Sequence, residues 1–99
     1  MTRFKRTIYD AQWIQWEGDL EVVKTNRTTT FHINYHPHRE DGPAIIDIDG
    51  TRMWYIYGLL HREDGPAVIY SDGKCRYFLN GTQLSYQEYI KILSNKSNW

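Results

Sequence analysis

Cysteine is almost missing from this 99-residue chain, proline is scarce, and neither sign of charge is in excess. The lone Cys75 excludes an internal disulfide framework and reads as a reduced thiol in a cytosolic protein. Lys and Arg total 12 and Asp and Glu total 12, so no global field draws the chain to bulk nucleic acid, to an acidic membrane or to a basic partner surface. No hydrophobic run approaches membrane-spanning length. Met1 to Arg6 is followed by Thr7-Ile8-Tyr9-Asp10 rather than an apolar export segment, so a cytoplasmic location is the expectation. A Gly-rich phosphate loop, a zinc-type cysteine pair and a catalytic triad order are also missing, and no cofactor is expected.

What is present is a repeated block. His38-Arg39-Glu40-Asp41-Gly42-Pro43-Ala44 recurs as His61-Arg62-Glu63-Asp64-Gly65-Pro66-Ala67 at an offset of 23 residues. The same offset relates Asp49-Gly50 to Asp72-Gly73 and Gly58 to Gly81. A degenerate copy precedes them: Val22-Val23 fall where Ile45-Ile46 stand, and Phe31 falls where Trp54 and Tyr77 stand. A chain of this length builds one modest core. Within one domain, residues 1–14 read as N-terminal capping strands, 15–37 as a degenerate repeat, 38–60 and 61–83 as full repeats, and 84–99 as a C-terminal helix and tail.

Each full repeat predicts a β-hairpin. Pro43 to Ile48 and Pro66 to Ser71 are rich in β-branched residues and end at Asp-Gly, the dipeptide suited to a two-residue type I′ turn. Thr51 to Tyr57 and Lys74 to Asn80 are the return strands, with Gly58 and Asn80-Gly81 reversing the chain again. Alternation places Phe31, Trp54 and Tyr77 on a core face together with Ile33, Ile56, Leu79 and Cys75. His32, Tyr55 and Phe78 fall on the opposite face, beside Met53 and Arg76. Before the repeats, Arg3 to Tyr9 and Gln12 to Trp16 read as extra strands, with Trp13 and Trp16 available to pack over the sheet end. After them, Ser85-Tyr86-Gln87-Glu88 is a capping box opening a helix from 86 to about 94, with Tyr86, Tyr89, Ile90 and Leu93 on its apolar stripe. Asn95 to Trp99 reads as a loose tail. The fold class is therefore mostly β, a meandering antiparallel sheet of stacked hairpin repeats with a short C-terminal α-helix.

The Asp-Gly turn, aromatic strand, Asn-Gly and Gly-Pro-Ala strand at this period resemble the MORN repeat family in the broad sense. The chain is similar, more closely, to divergent repeat proteins of bacteriophages and large DNA viruses whose units carry the His-Arg-Glu-Asp-Gly-Pro-Ala block. The likeness covers residues 38–84 well and 15–37 weakly. It implies a hairpin stack with a non-enzymatic binding or scaffold role, in a host cytoplasm, and no defined ligand. The chain lacks the familiar Tyr-Xaa-Gly opening of the MORN unit, so lipid binding is not carried over.

Candidate partner-binding residues are the repeated His38, Arg39, His61 and Arg62, and the opposite aromatic column His32, Tyr55 and Phe78 with Arg76. His36, His38, Glu40 and Asp41 are close enough in sequence to suggest a metal site. A structural use is preferred, in which Asp41 and Asp64 receive backbone N–H groups while Arg39 and Arg62 pair with a neighbouring repeat's carboxylate, and no metal is expected. Cys75 and Ser85 have no activating neighbours and are not assigned catalytic roles. The favoured reading is a phage accessory or counter-defence protein that binds a host protein stoichiometrically. The alternative is a sponge for a nucleotide-like immune signal, with two arginines on its phosphates, and self-association is compatible with either. A hydrolase using the His, Glu and Asp groups ranks third.

Overall fold

The structure, a computed structural model, describes residues 2–5, 11–17 and 20–97. Five strands come first: β1 (Thr2–Lys5), β2 (Ala11–Glu17), β3 (Leu20–Thr25), β4 (Thr28–Ile33) and β5 (His36–Pro37). The repeats supply β6 (Ile45–Asp47), β7 (Arg52–Met53), β8 (Tyr55–Ile56), β9 (Leu59–Leu60), β10 (Val68–Ile69), β11 (Cys75–Leu79) and β12 (Thr82–Leu84). One helix, α1 (Tyr86–Ser97), closes the order. The fold is thus mostly antiparallel β with a single C-terminal helix. The main sheet runs β1-β2-β3-β4-β6-β7-β10-β11-β12, with β5 beside β4, while β8 and β9 pair with each other.

The return strands change partners midway, at the aromatic residue. Phe31 donates its N–H to the Ala44 carbonyl on the sheet side, while its own carbonyl accepts the N–H of His38. Trp54 does the same with Ala67 and His61. The first half of each strand therefore stays in the sheet, and the second half leaves with a hairpin of its own.

The turns differ from the sequence expectation. At Asp49-Gly50, the Gly50 N–H donates to the Asp47 carbonyl and the Asp47 N–H to the Thr51 carbonyl, which makes a three-residue loop. Only Gly50 has positive φ there, at 94°, whereas a type I′ turn needs Asp49 in that region as well. Asp49 is occupied otherwise: its carboxylate accepts the Thr51 N–H at 2.8 Å, a bond that holds its pKa below the usual carboxylate range. Asp72-Gly73 repeats the arrangement, with Gly73 at φ 89° and Asp72 accepting the Lys74 N–H. Gly73→Val, with open space for its side chain but a β-branched residue held at positive φ, should still cost about 1–2 kcal/mol. Thermal melts of the two proteins check it; equal melting temperatures would remove this turn.

The type I′ turns lie at the opposite ends of the return strands. Tyr57-Gly58 has φ of 45° and 83°, and Asn80-Gly81 has 49° and 82°. The degenerate copy places Asn34-Tyr35 there, with Tyr35 at φ 66° and its side chain in solvent at 100% exposure. Tyr35→Gly should therefore stabilise the protein by about 0.5–1 kcal/mol, because glycine adopts this conformation without a Cβ clash. A denaturant midpoint that fails to rise would show the strain to be relieved in another way.

At the C-terminus the capping box forms as the sequence indicates: Ser85 Oγ accepts the Glu88 N–H and Glu88 Oε1 accepts the Ser85 N–H. The helix runs on to Ser97, so residues 95–97, expected in a loose tail, are helical, and residues 98–99 lie outside the described set. Of the expected apolar stripe, Tyr89 is buried and Leu93 half-buried, but Tyr86 and Ile90 stay exposed because the helix touches the sheet along one narrow line. At the N-terminus, β1 and β2 extend the sheet as expected, while residues 6–9 and the side chains of Trp13 and Trp16 fall outside the described set.

The core is thin. Among the described residues the buried hydrophobic ones are Val22, Ala44, Ala67, Val68 and Tyr89. The Phe31, Trp54 and Tyr77 column is half-buried, and Cys75, expected on the core face, is exposed because β11 is the last strand to pair with a Gly-Pro-Ala segment. No helix among the described residues is long and apolar enough to cross a membrane.

Candidate functional site

The two His-Arg-Glu-Asp loops lie over the face that carries Phe31 and Trp54, and each of their residue types has an identifiable role. The Arg39 guanidinium stacks 4.0 Å from the Phe31 ring centroid, and Arg62 stacks 3.9 Å from that of Trp54. Arg39 Nε donates to Asp41 at 3.0 Å and its Nη1 to the Pro43 carbonyl at 3.2 Å. Arg62 repeats both bonds with Asp64 and the Pro66 carbonyl, at 3.0 and 3.1 Å. Each arginine thus pairs with its own loop, two residues on. The expected pairing with a neighbouring repeat does not form, and each Asp receives a guanidinium rather than a backbone N–H.

The glycine and alanine of the block follow from that stacking. A Cβ on Gly42 or Gly65 would lie 3.0 Å from the guanidinium carbon, so a side chain there would displace the arginine from its ring. Ala44 and Ala67 are 0% exposed, leaving no space for a larger residue in the sheet below.

The histidines tie the start of each repeat to its closing turn. His38 Nδ1 accepts the Tyr57 N–H at 2.9 Å, and His61 Nδ1 accepts the Asn80 N–H at 2.9 Å. Each bond holds the first residue of a type I′ turn that the next return strand makes. With Nδ1 accepting, the proton of the neutral ring sits on Nε2, which faces Glu63 at 3.3 Å in the second loop and Glu40 at 3.9 Å in the first. His38 is buried and packs against the Tyr57 ring with centroids 4.2 Å apart.

The helix completes the series at the third aromatic. Tyr89 packs on Tyr77 at 4.8 Å between centroids, where a third repeat would have placed an arginine. Its hydroxyl lies 2.6 Å from the Arg62 carbonyl and accepts the Gly65 N–H at 3.1 Å, locking the second loop to the helix. Burial pushes the Tyr89 phenol up, with the Gly65 hydrogen bond pulling the other way.

Between the two loops lies an open groove of about 700 Å³. Trp54 and Ile56 line it from the sheet, with Arg39, Glu40 and Asp41 from one loop and Arg62, Glu63 and Asp64 from the next. A second groove of about 460 Å³ precedes it, lined by Leu20, Ile33, His38, Arg39 and Tyr57. The two are related by the repeat offset, since Ile33 and His38 of one correspond to Ile56 and His61 of the other.

The eight candidate residues therefore do not form one site. His38, Arg39, His61 and Arg62 belong to the loops and grooves, whereas His32 and Arg76 lie on the other face of the main sheet, Phe78 on the β11–β12 pair and Tyr55 on the separate β8–β9 hairpin, all of them partly or largely exposed. There, burial lowers the His32 pKa while Glu21, directly across on β3, raises it. Arg76 Nε donates to the Tyr70 hydroxyl at 3.2 Å. Sequence reasoning missed Asn80 and Tyr57 as partners of the histidines, which stand 19 residues earlier in the chain. Strand alternation had Trp54 and Ile56 together on one face, expected to be the core, and nothing in it announced a groove above them. Comparison with known proteins finds no matching family model, no matching curated protein and no matching solved structure.

Proposed function

We propose that this protein is a non-enzymatic binding module that acts stoichiometrically, holding an extended segment of a host protein along the grooves between its loops, as a phage accessory or counter-defence protein. The observation that carries this reading is the pair of offset-related grooves, one after the other along the sheet. A catalytic site needs groups converging on one reacting centre, whereas here the arginines and histidines are committed to structural bonds within their own repeats and the repeat spreads them in a row. Exposed carboxylates outnumber guanidiniums around the larger groove: Glu40, Asp41, Glu63 and Asp64 face Arg39 and Arg62. That excess suits a basic peptide segment better than the phosphates of a nucleotide, since the arginines are also partly neutralised by Asp41 and Asp64.

Reversing the rim charge tests this while keeping the bonds of Arg39 and Arg62, at the cost of the contacts of His61 with Glu63 and His38 with Glu40. A pull-down from host lysate should recover a defined protein with the wild type and lose it with Glu40→Lys/Glu63→Lys, with circular dichroism showing that the double variant stays folded. Mass spectrometry of the supernatant after heat denaturation examines the alternative, and a nucleotide released in stoichiometric amount would replace the protein-binding reading with the sponge.

A further inference from the structure

We infer that the sheet face opposite the loops is the contact surface of a homodimer, with two copies stacked face to face. The register defines this face. Val23, Thr30, Ile45, Met53, Val68 and Arg76 are successive cross-strand partners from β3 to β11, and directly opposed residues of antiparallel strands share a side. Two positions further along β4 and β11, the same side carries His32 and Phe78, and Tyr55 stands at the equivalent position of the β8–β9 hairpin. The loops and the Tyr89 side of α1 all sit over the other face, and the rest of the described chain is sheet and its turns. Ile45, Met53, Tyr55 and Phe78 are left partly exposed.

A second copy is the occupant the observations favour, for three reasons. First, the chain measures 47 × 32 × 17 Å with a radius of gyration of 15.1 Å, where a compact domain of this length has about 13 Å. Among the described residues the main sheet has one cover, and domains close a core with two packed layers. No large side chain is fully buried among the described residues, so a second layer adds to the stability of the folded chain. Second, a 47 × 32 Å face exceeds the about 800 Å² per partner that a stable interface needs, and equal numbers of acidic and basic residues, 12 and 12, let copies approach without net repulsion.

Third, the charges on the face are arranged for self-pairing. Glu21 lies at its β3 end, across from His32, and Arg76 lies at its β11 end. A two-fold axis passing between β6 and β7, and inclined to the strands because Glu21 stands two residues along β3 from the level of Arg76, sets the β3 side of one copy over the β11 side of the other. Glu21 of each copy then approaches Arg76 of the second, and the apolar Ile45 and Met53 meet at the centre, about 10 Å between sheets.

Light scattering on the full chain should give about twice the 11.9 kDa monomer mass, with a melting temperature that rises with protein concentration. Met53→Glu at the centre should raise the dimer dissociation constant by at least about tenfold. Arg76→Glu should weaken the dimer and Glu21→Arg/Arg76→Glu should restore it, a readout that holds even if Met53→Glu fails to fold. A monomeric wild type at about 100 µM, an intact dimer in Met53→Glu, or a charge-swapped double variant as weak as Arg76→Glu would each overturn the assignment.

Discussion

Trp54→Ala is expected to destabilise the protein by about 3 kcal/mol, equivalent to more than about 10 °C in melting temperature for a domain of this size. The indole serves two neighbours at once. It supports the Arg62 guanidinium at 3.9 Å, and its backbone is the point where the return strand passes from the Ala67 carbonyl to the N–H of His61. Truncation removes the ring from beneath the guanidinium and leaves a cavity between the loop and the sheet. In a fold with so few buried residues, that loss is a large part of the total stability. Tyr55→Ala, one residue on and on the other face, removes a ring that no loop covers and should cost less in dilute solution. Chemical denaturation of both variants at low micromolar concentration decides the matter, and the opposite ranking would mean that the uncovered face carries more of the monomer's stability than the loop-covered one.

Arg39→Ala/Arg62→Ala is expected to be nearly as damaging, at about 2–4 kcal/mol together. Each truncation removes a stack on an aromatic ring, leaves a proline carbonyl without its donor, and frees an aspartate beside a loop glycine whose conformation was matched to the guanidinium. Lysine should not rescue either position, because a single ammonium cannot bond an aspartate and a carbonyl while lying flat on a ring. The measurement is a paired one, melting temperature and retention of the pulled-down partner. A double variant that melts with the wild type yet no longer binds would transfer the arginines from scaffold to binding surface. A stable variant that binds fully would leave both roles empty and direct attention to His32, Tyr55 and Phe78.

Some of this architecture is readable in one dimension because it depends on neighbours in the chain. The block at residues 38–44 and 61–67, the β-branched segments after it and the alternating return strands specify antiparallel hairpins through a period of two. The Ser85-Glu88 box specifies a helix start through a spacing of three. The right-handed limits on φ make Gly50, Gly58, Gly73 and Gly81 turn residues whatever else the chain does.

The tertiary structure settled what depends on groups distant in sequence or on register. Asp-Gly serves two-residue and three-residue loops equally well; what selects between them at Asp49 is the ladder bond from Asp47 to Thr51, a property of the paired strands. Arg39 has several carboxylates within reach along the chain, and its choice of Asp41 follows from where the Phe31 ring holds the guanidinium. His38 could be read as ligand, base or cap until the Tyr57 N–H arrives from a turn 19 residues later and takes Nδ1. The division of the candidate residues between two faces has the same origin. Alternation along a strand says that Trp54 and Tyr55 point apart, but only the packed chain determines which side the loops cover, since a single sheet offers both and the stacking of arginine on tryptophan stabilises one.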